Sequence, residues 1–136
     1  MPGPTSPSSA RALSVLRLGV AVLIGVHGFF RVFKGTVPDF GAYLSSVGFP
    51  LGTALAWAIT LAEITGVLCL ATGRFVRWVI PVHLFILVMG IYLVHGREGW
   101  FVVGGGRNGM EYSLLLIVAL VTLWLAEPDQ GRVIKA

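Results

Sequence analysis

Four long apolar blocks constrain this chain more than any other feature of its sequence. Short stretches rich in Gly, Pro, Arg and Asp separate the blocks, which are Leu13–Phe33, Leu51–Thr72, Phe75–Val94 and Met110–Leu125. Three of them reach the roughly 20 residues that a helix needs to cross a bilayer. Charged residues make up only 12% of the chain, which is about half their share in soluble domains. The sequence therefore predicts a small polytopic membrane protein.

The predicted architecture is all-α, an integral membrane four-helix bundle. We expect residues 11–127 to form the membrane domain, residues 1–10 a disordered N-terminal tail, and residues 128–136 a polar C-terminal tail. Within the first loop, Pro38 can start a short amphipathic helix that ends at Gly48. A helix of this kind would lie at the membrane interface and cover one end of the bundle.

A glycine-rich stretch before the fourth block matches the G-x-G-x-x-G fingerprint of dinucleotide-binding proteins through Gly104, Gly106 and Gly109. That fingerprint works within a parallel sheet, and an open sheet edge is not stable in lipid, so we expect no nucleotide site. The fourth block would span only about 24 Å as a helix. We therefore expect the glycines to shape a re-entrant-like loop, with Trp100 anchored at the membrane interface.

The basic residues of the loops predict an orientation. Four spans place both termini on one side, together with Arg11, Arg17, Arg74, Arg77, Arg132 and Lys135. The opposite side holds fewer basic residues, which favours cytoplasmic termini. We expect the net charge of +4 to favour contact with anionic lipid and not nucleic acid, because no basic run has interleaved aromatics. Neither two-thiol chemistry nor a zinc site is expected, since the chain has one cysteine, Cys69, and no metal-ligand spacing.

Ionisable residues inside the apolar blocks are the candidates for chemistry, because such residues are costly in lipid and usually face a bundle interior or a wet cavity. Three of them follow the spacing i, i+4, i+7 and therefore share one stripe of the first helix. Glu63 lies near the middle of the second block. The side chains expected to converge on a polar pocket in the outer half of the bundle are His27, Arg31, Lys34, Glu63, His95 and Glu111.

Most of these candidates also have a structural explanation. His27 and His95 could be satisfied by backbone carbonyls or interfacial water. Arg31 and Lys34 could extend to lipid headgroups. Those alternatives stay open at the level of sequence, because spacing gives the depth of a side chain but not its partner.

Glu111 has a structural explanation of this kind, whereas Glu63 has none from its local sequence. Glu111 follows Asn108 by three residues, which is the spacing of a capping box at a helix start. Glu63 is flanked by apolar turns of a predicted span, so a functional or ion-pairing role is favoured for it, with His27 or Arg31 as the partner. His83 stands beside Pro81 in the expected cytoplasmic half and is interpreted as structural.

Three segments together resemble the DoxX family of small bacterial and archaeal membrane proteins: "GVHGFFRVFKG", "AEITGVLCLATG" and "HGREGWFVVGGGRNGMEYSLLL". The resemblance covers roughly residues 13–126 and implies a four-helix membrane bundle associated with redox systems. One branch of the family supplies the membrane subunit of thiosulfate:quinone oxidoreductase, another is linked to oxidative-stress complexes, and a related eukaryotic branch assists receptor assembly. The family pattern falls on His27, Gly28, Lys34, Glu63, Gly66, His95, Gly109 and Glu111.

Two functions from different classes follow from this resemblance. In the first, the protein is the membrane subunit of a quinone-linked oxidoreductase, its outer pocket binds a quinone headgroup or small anion, and Glu63 with His27 handles the coupled proton. Electrons would come from a partner, since no covalent cofactor is expected. In the second, the protein is an assembly or scaffold subunit without activity of its own. In both cases we expect the protein to lie in a prokaryotic cytoplasmic membrane and to bind a protein partner or form a homo-oligomer. The remaining residues expected to line the pocket are Arg31, Lys34, His95, Trp100 and Glu111.

Overall fold

The computed structural model describes residues 7–126, and this part of the chain is helical without strands. Its elements are α1 (Pro7–Lys34), α2 (Val37–Ser46), α3 (Gly52–Thr72), α4 (Val76–Gly90), a π-helical turn (Ile91–His95) that continues α4, and α5 (Glu111–Ala126). Residues 7–10 were expected in the N-terminal tail but belong to α1. Residues 1–6 of the expected N-terminal tail, residue 127 of the expected membrane domain and the whole expected C-terminal tail, residues 128–136, lie outside the described residues.

Within residues 7–126, three helices are long and apolar enough to cross a membrane: α1 with 28 residues, α3 with 21, and α4 with its π turn, which together have 20. Helix α5 is equally apolar but has 16 residues. Helices form here because each apolar run is uninterrupted, and in lipid the backbone groups must satisfy one another. By length and composition, the chain is a multi-pass membrane protein.

Glycines and a proline set the ends of the helices. Gly35 and Gly73 adopt left-handed backbone conformations, with φ of 67° and 70°, and end α1 and α3. After Gly73, the N–H of Arg74 donates to the carbonyl of Cys69 at 3.0 Å, as expected for a glycine-terminated helix. Pro38 lies in the first turn of α2, where its missing N–H costs nothing. The short helix predicted in the first loop is confirmed.

Helices α1, α3, α4 and α5 form a closed ring, because each packs against the next and α5 returns to α1. Two glycines allow α1 and α3 to approach closely. A Cβ atom placed on Gly25 would lie 2.7 Å from Val67, and one placed on Gly28 would lie 3.2 Å from the Cβ of Glu63. Small residues at helix contacts are a common device in membrane proteins, where close backbone approach is a main source of stability.

The ring is filled unevenly along its length. Toward the end that holds Pro7 and Ala126, here termed the terminal end, the core is close-packed. Its main buried side chains are Val20, Ile24, Leu70, Val76, Ile80, Leu116, Leu120 and Leu123. At the opposite end, termed the loop end, α2 packs against the start of α3 through Val37, Leu44 and Ala56. Between the core and the loop end, the bundle contains a partly open cavity.

Candidate functional site

The cavity in the loop half of the bundle has a volume of about 510 Å³. Small-molecule sites have volumes of about 300–1,000 Å³ and mostly apolar walls with a few polar groups, which matches this lining. Its apolar wall includes Ile24, Ile86, Leu87 and Leu116, and all three histidines of the chain contribute to the polar part. The main polar side chains of the lining are His27, Arg31, Glu63, His83, His95 and Tyr112.

An ion pair between Arg31 and Glu63 joins α1 to α3 in the cavity wall. The two side chains are 18% and 9% exposed, so both are largely removed from solvent. Arg31 also donates from Nε to the hydroxyl of buried Thr60 at 3.2 Å, and its guanidinium lies over the ring of Phe40 at 4.9 Å from the centroid. Of the two partners expected for Glu63, Arg31 is the one in contact. The pair leaves this wall polar but electrically neutral.

His27 and Tyr112 approach each other across the α1–α5 contact. Their ring centroids are 6.4 Å apart and the planes are tilted by 50°. His27 is exposed even though it lies within the bundle ring, because it faces the cavity. Four residues separate His27 from Arg31, so one face of α1 presents an imidazole and a guanidinium to the same space.

His83 lies deeper in the cavity wall, on α4. It is 2% exposed, and its Nδ1 donates to the carbonyl of Val79 at 2.9 Å. The ring packs against Gly66, where an added Cβ would overlap its Cε1 and Nε2 atoms. These contacts with Val79 and Gly66 are consistent with the structural role expected for His83. The residue also lines the cavity together with the other candidate residues.

His95 ends the π turn and lies under the glycine-rich loop. Its Nδ1 donates to the carbonyl of Asn108 at 2.8 Å, which ties α4 to the loop before α5. A π turn inserts an additional residue into the helix and changes the direction of the side chains that follow, and such turns are frequent at functional sites. Nothing in the segment "IYLVH" predicted this turn.

A known protein family matches the part of the chain from α1 to the π turn. A family model for DoxX matches residues 12–96, which is more than half of the chain. The chain belongs to the DoxX family. The matched range includes His27, Glu63 and His95 but ends before Gly109 and Glu111, for which the family pattern stays a prediction. No similar curated protein and no similar solved structure was found.

The glycine-rich loop of this DoxX-family protein folds back on itself. The N–H groups of residues 109–111 donate to carbonyls of residues 99–101 at 3.1 Å. Gly109 is buried, and a Cβ there would lie 2.5 Å from the carbonyl of Trp100, so only glycine fits. Gly104 takes a φ of 82°, which also favours glycine, whereas Gly106 lies near the Phe101 backbone. The loop reaches the cavity through Val102, Asn108 and Gly109.

Three residues expected in the pocket lie outside the cavity lining. Lys34 is exposed at the end of α1, and Trp100 is 51% exposed on the loop. Glu111 is the first residue of α5, and its carboxylate accepts a hydrogen bond from the N–H of Val102 at 2.9 Å. The capping-box interpretation is therefore wrong, because Glu111 binds the loop backbone and Asn108 takes a left-handed φ of 59°.

His83 and Tyr112 line the cavity of this DoxX-family protein, but the sequence analysis did not predict them there. His83, Leu87, Gly90 and Val94 all line it and follow the spacing i, i+4, i+7, i+11 along α4, so helical periodicity could have placed His83 there. Tyr112 had no such signal, since the first turn of α5 follows an irregular loop.

Among residues 7–126, no cluster of three or more His, Cys, Asp or Glu side chains is arranged to hold a metal ion.

Proposed function

We propose that this DoxX-family protein binds a quinone headgroup in the cavity at the loop end. The observation that carries the proposal is a cavity of about 510 Å³ with apolar walls, in which the charged residues Arg31 and Glu63 neutralise each other. A small anion would need an uncompensated cation, and Arg31 is already paired. A neutral, flat headgroup with polar oxygens suits apolar walls with a few hydrogen-bonding side chains.

Different residues have different tasks in this proposal. Arg31, held by Glu63 and Thr60, and the imidazoles of the lining would orient the oxygens of the headgroup. His27 would hold or release a proton at its ring nitrogens, because an imidazole is suited to proton exchange near neutral pH. Glu63 would act through Arg31 as a positioning residue. The quinone supplies the redox chemistry when bound, and a partner protein supplies or removes the electrons.

The proposal includes a placement in the membrane. Helix α5 is the fourth span, and the glycine-rich loop dips toward the bilayer to make up for its length of about 24 Å. Both termini are cytoplasmic, so the loop end and its cavity lie toward the outer face of a prokaryotic cytoplasmic membrane. This arrangement is supported by the apolar surface of α5, where Leu115, Val118 and Leu125 are exposed as expected for contact with lipid.

The test fills the cavity and measures binding of a short-chain ubiquinone analogue to the purified protein in nanodiscs by calorimetry. Gly90 lines the cavity, and an added Cβ there would meet only His95, at 3.8 Å. Gly90→Leu should weaken binding at least tenfold while the melting temperature stays near that of the parent protein. The matched control is Gly19→Leu, at an exposed helical glycine with no neighbour within 4 Å. Equal binding by both variants would exclude the cavity as the site.

A second candidate function, that of an assembly subunit, is favoured by the Arg31–Glu63 pair, which fixes α1 against α3 in the way expected of a structural polar contact. The two functions differ in the Gly90→Leu variant. If the protein is an assembly subunit, the Gly90→Leu variant should still co-purify with its partner complex at the parental yield, although its cavity is filled. A quinone-binding subunit should assemble but fail to support quinone-dependent activity of the complex.

A further inference from the structure

Three of the four helix contacts in the ring are held together beside the cavity. Arg31 pairs with Glu63 between α1 and α3. Between α3 and α4, the His83 ring packs tightly on α3. Between α4 and α5, His95 bonds to the loop that leads into α5. The fourth contact, between α1 and α5, has no hydrogen bond or ion pair at this level among the described residues.

Helix α5 covers α1 below the cavity but not beside it. Val20 and His27 are seven residues apart and therefore share a face of α1. Val20 is 3% exposed and belongs to the core cluster that includes Leu116 and Leu120 of α5. His27 is exposed, and the centroid of its ring lies 6.4 Å from that of Tyr112. The two helices therefore separate beside the cavity, and this gap between His27 and Tyr112 is termed the side opening.

The side opening has a polar inner border and an apolar outer border. His27 and Tyr112 line the cavity on the inside. Leu23 and Phe30 flank His27 at the spacing i, i+4, i+7 on α1, and they are 44% and 56% exposed. Leu115 lies one turn after Tyr112 on α5 and is 65% exposed. The opening therefore joins the cavity to an apolar outer surface of the bundle.

In the proposed placement, the side opening lies at the depth of the lipid acyl chains. His27 precedes Lys34, the last residue of α1, by seven residues, which is about 10 Å along the helix. Lys34 is exposed and can extend to the lipid headgroups. Since the headgroup region of one leaflet is only about 5–8 Å thick, the opening faces hydrocarbon and not water.

Membrane quinones combine a polar ring with a long apolar isoprenoid tail. A cavity of about 510 Å³ has the size of a site for the ring and does not also hold a tail of several isoprene units. Resting on the proposed function, we infer that the ligand is a tailed, membrane-dissolved quinone, which enters from the bilayer through the side opening between α1 and α5. Its tail stays in this opening and continues into the lipid, while its ring lies in the cavity.

Photocrosslinking on the full-length protein in nanodiscs tests this path. The probe is a ubiquinone with a diazirine on the first isoprene unit of its tail. The control compound has the same tail and diazirine on a phenyl ring without quinone oxygens. Mass spectrometry should find the quinone probe on α1 and α5, at Leu23, Phe30 or Leu115, with about fivefold enrichment over the control compound. Gly90→Leu should remove the enrichment, because the ring no longer fits in the cavity.

The outcomes of the crosslinking separate the inference from the proposed function. If the quinone probe binds, but labels α3, α4 or the loop, or labels α1 and α5 no more than the control compound does, the side opening is not the path of the tail. The inference then fails and the proposed function remains. If calorimetry detects no binding of the quinone probe to the parent protein, both fail.

A substitution at the outer border gives an independent measurement. Leu115→Trp narrows the side opening from the lipid side and leaves the cavity lining unchanged. It should weaken binding of a ubiquinone with a two-isoprene tail about fivefold, while the tail-less ring binds as in the parent protein. Leu125→Trp, also on α5 and 74% exposed, is the matched control and should change neither affinity. Melting temperatures identify a variant that fails to fold, in which case the crosslinking pattern decides. A folded Leu115→Trp protein with equal effects on both compounds would overturn the inference.

Discussion

Arg31 and Glu63 place opposite charges in a wall that faces a cavity and an apolar core. Removing a charged pair from water carries a large desolvation cost, so the pair is stable only while both partners and their hydrogen bonds are present. Thr60 and Phe40 supply additional contacts to the guanidinium, and Gly28 allows α1 to reach the carboxylate. We therefore expect the stability of the bundle to be most sensitive to substitution at this pair.

We expect Glu63→Gln to destabilise the bundle by about 3 kcal/mol, because it leaves Arg31 without its anion. The measurement is the melting temperature of the protein in detergent. The double substitution Arg31→Met with Glu63→Met should recover most of that loss, since no unpaired charge remains. Lys34→Met, at an exposed position on the same helix, is the matched control and should leave the melting temperature unchanged. A Glu63→Gln protein as stable as the parent would show that the pair is not structural.

Gly66 and Gly19 provide a second comparison between single residues. Gly66→Ala would push against the His83 ring and should cost about 1–3 kcal/mol, as expected for overpacking. Gly19→Ala meets nothing within 4 Å, and in a helix interior it should be neutral or stabilising by up to about 1 kcal/mol. Thermal unfolding of both variants gives the difference. If Gly66→Ala were as stable as Gly19→Ala, the close packing of His83 on α3 would be wrong.

At the scale of elements, the π turn and α2 are coupled. Tyr43 of α2 donates from its hydroxyl to the carbonyl of Leu93 in the π turn, at 3.2 Å. Phe40 of the same helix lines the cavity, so α2 contributes both to the cavity wall and to the contact that holds the π turn. We therefore expect loss of this hydrogen bond to loosen α2 against the π turn.

Tyr43→Phe removes only that hydrogen bond, worth about 1 kcal/mol. We expect the backbone amides of α2 to exchange about fivefold faster in hydrogen–deuterium exchange, while those of the buried core keep their protection. Tyr92→Phe, in the π turn but with a side chain that is 71% exposed, is the control. Faster exchange across the entire bundle in Tyr43→Phe would mean that the contact supports the global fold and not α2 alone.

The elements were predictable to different degrees. The apolar blocks and the Pro38–Gly48 segment predicted the helices to within a few residues, because uninterrupted hydrophobicity, a proline in the first turn and a terminal glycine act locally. The start of α1 at Pro7 was missed, since the first turn lies before the apolar run. The π turn was also missed, because no residue type or spacing within residues 91–95 signals it.

The candidate site was predictable in depth but not in pairing. The spacing of His27 and Arg31, and the depth of Glu63, placed these three residues in one half of the bundle, where they line the cavity. Which cation pairs with the carboxylate depends on how α1 is rotated against α3, and that rotation follows from Gly25 and Gly28 packing on α3. Tertiary packing of this kind has no signature in the spacing of residues on a single helix.

For the whole molecule, the arrangement of the ends predicts a labelling pattern. Ser45 lies at the loop end and Arg74 at the terminal end, and both are exposed. In a Cys69→Ser background, a membrane-impermeant thiol reagent applied to intact cells should label Ser45→Cys, whereas Arg74→Cys should react only after permeabilisation. The reverse pattern would invert the proposed orientation. Labelling of both from outside would contradict the span formed by α3.

The close-packed core of the terminal half also fixes the electrical position of the cavity. A membrane potential falls across the part of the protein that excludes water and ions, and Leu70, Ile80 and Leu120 in that part are 0% exposed. Moving one elementary charge through the full potential is worth about 2.3 kcal/mol per 100 mV. In the proposed function and orientation, a proton exchanged between the cavity and the loop end would cross little of this voltage drop. Its binding should therefore be the same in polarised and depolarised vesicles.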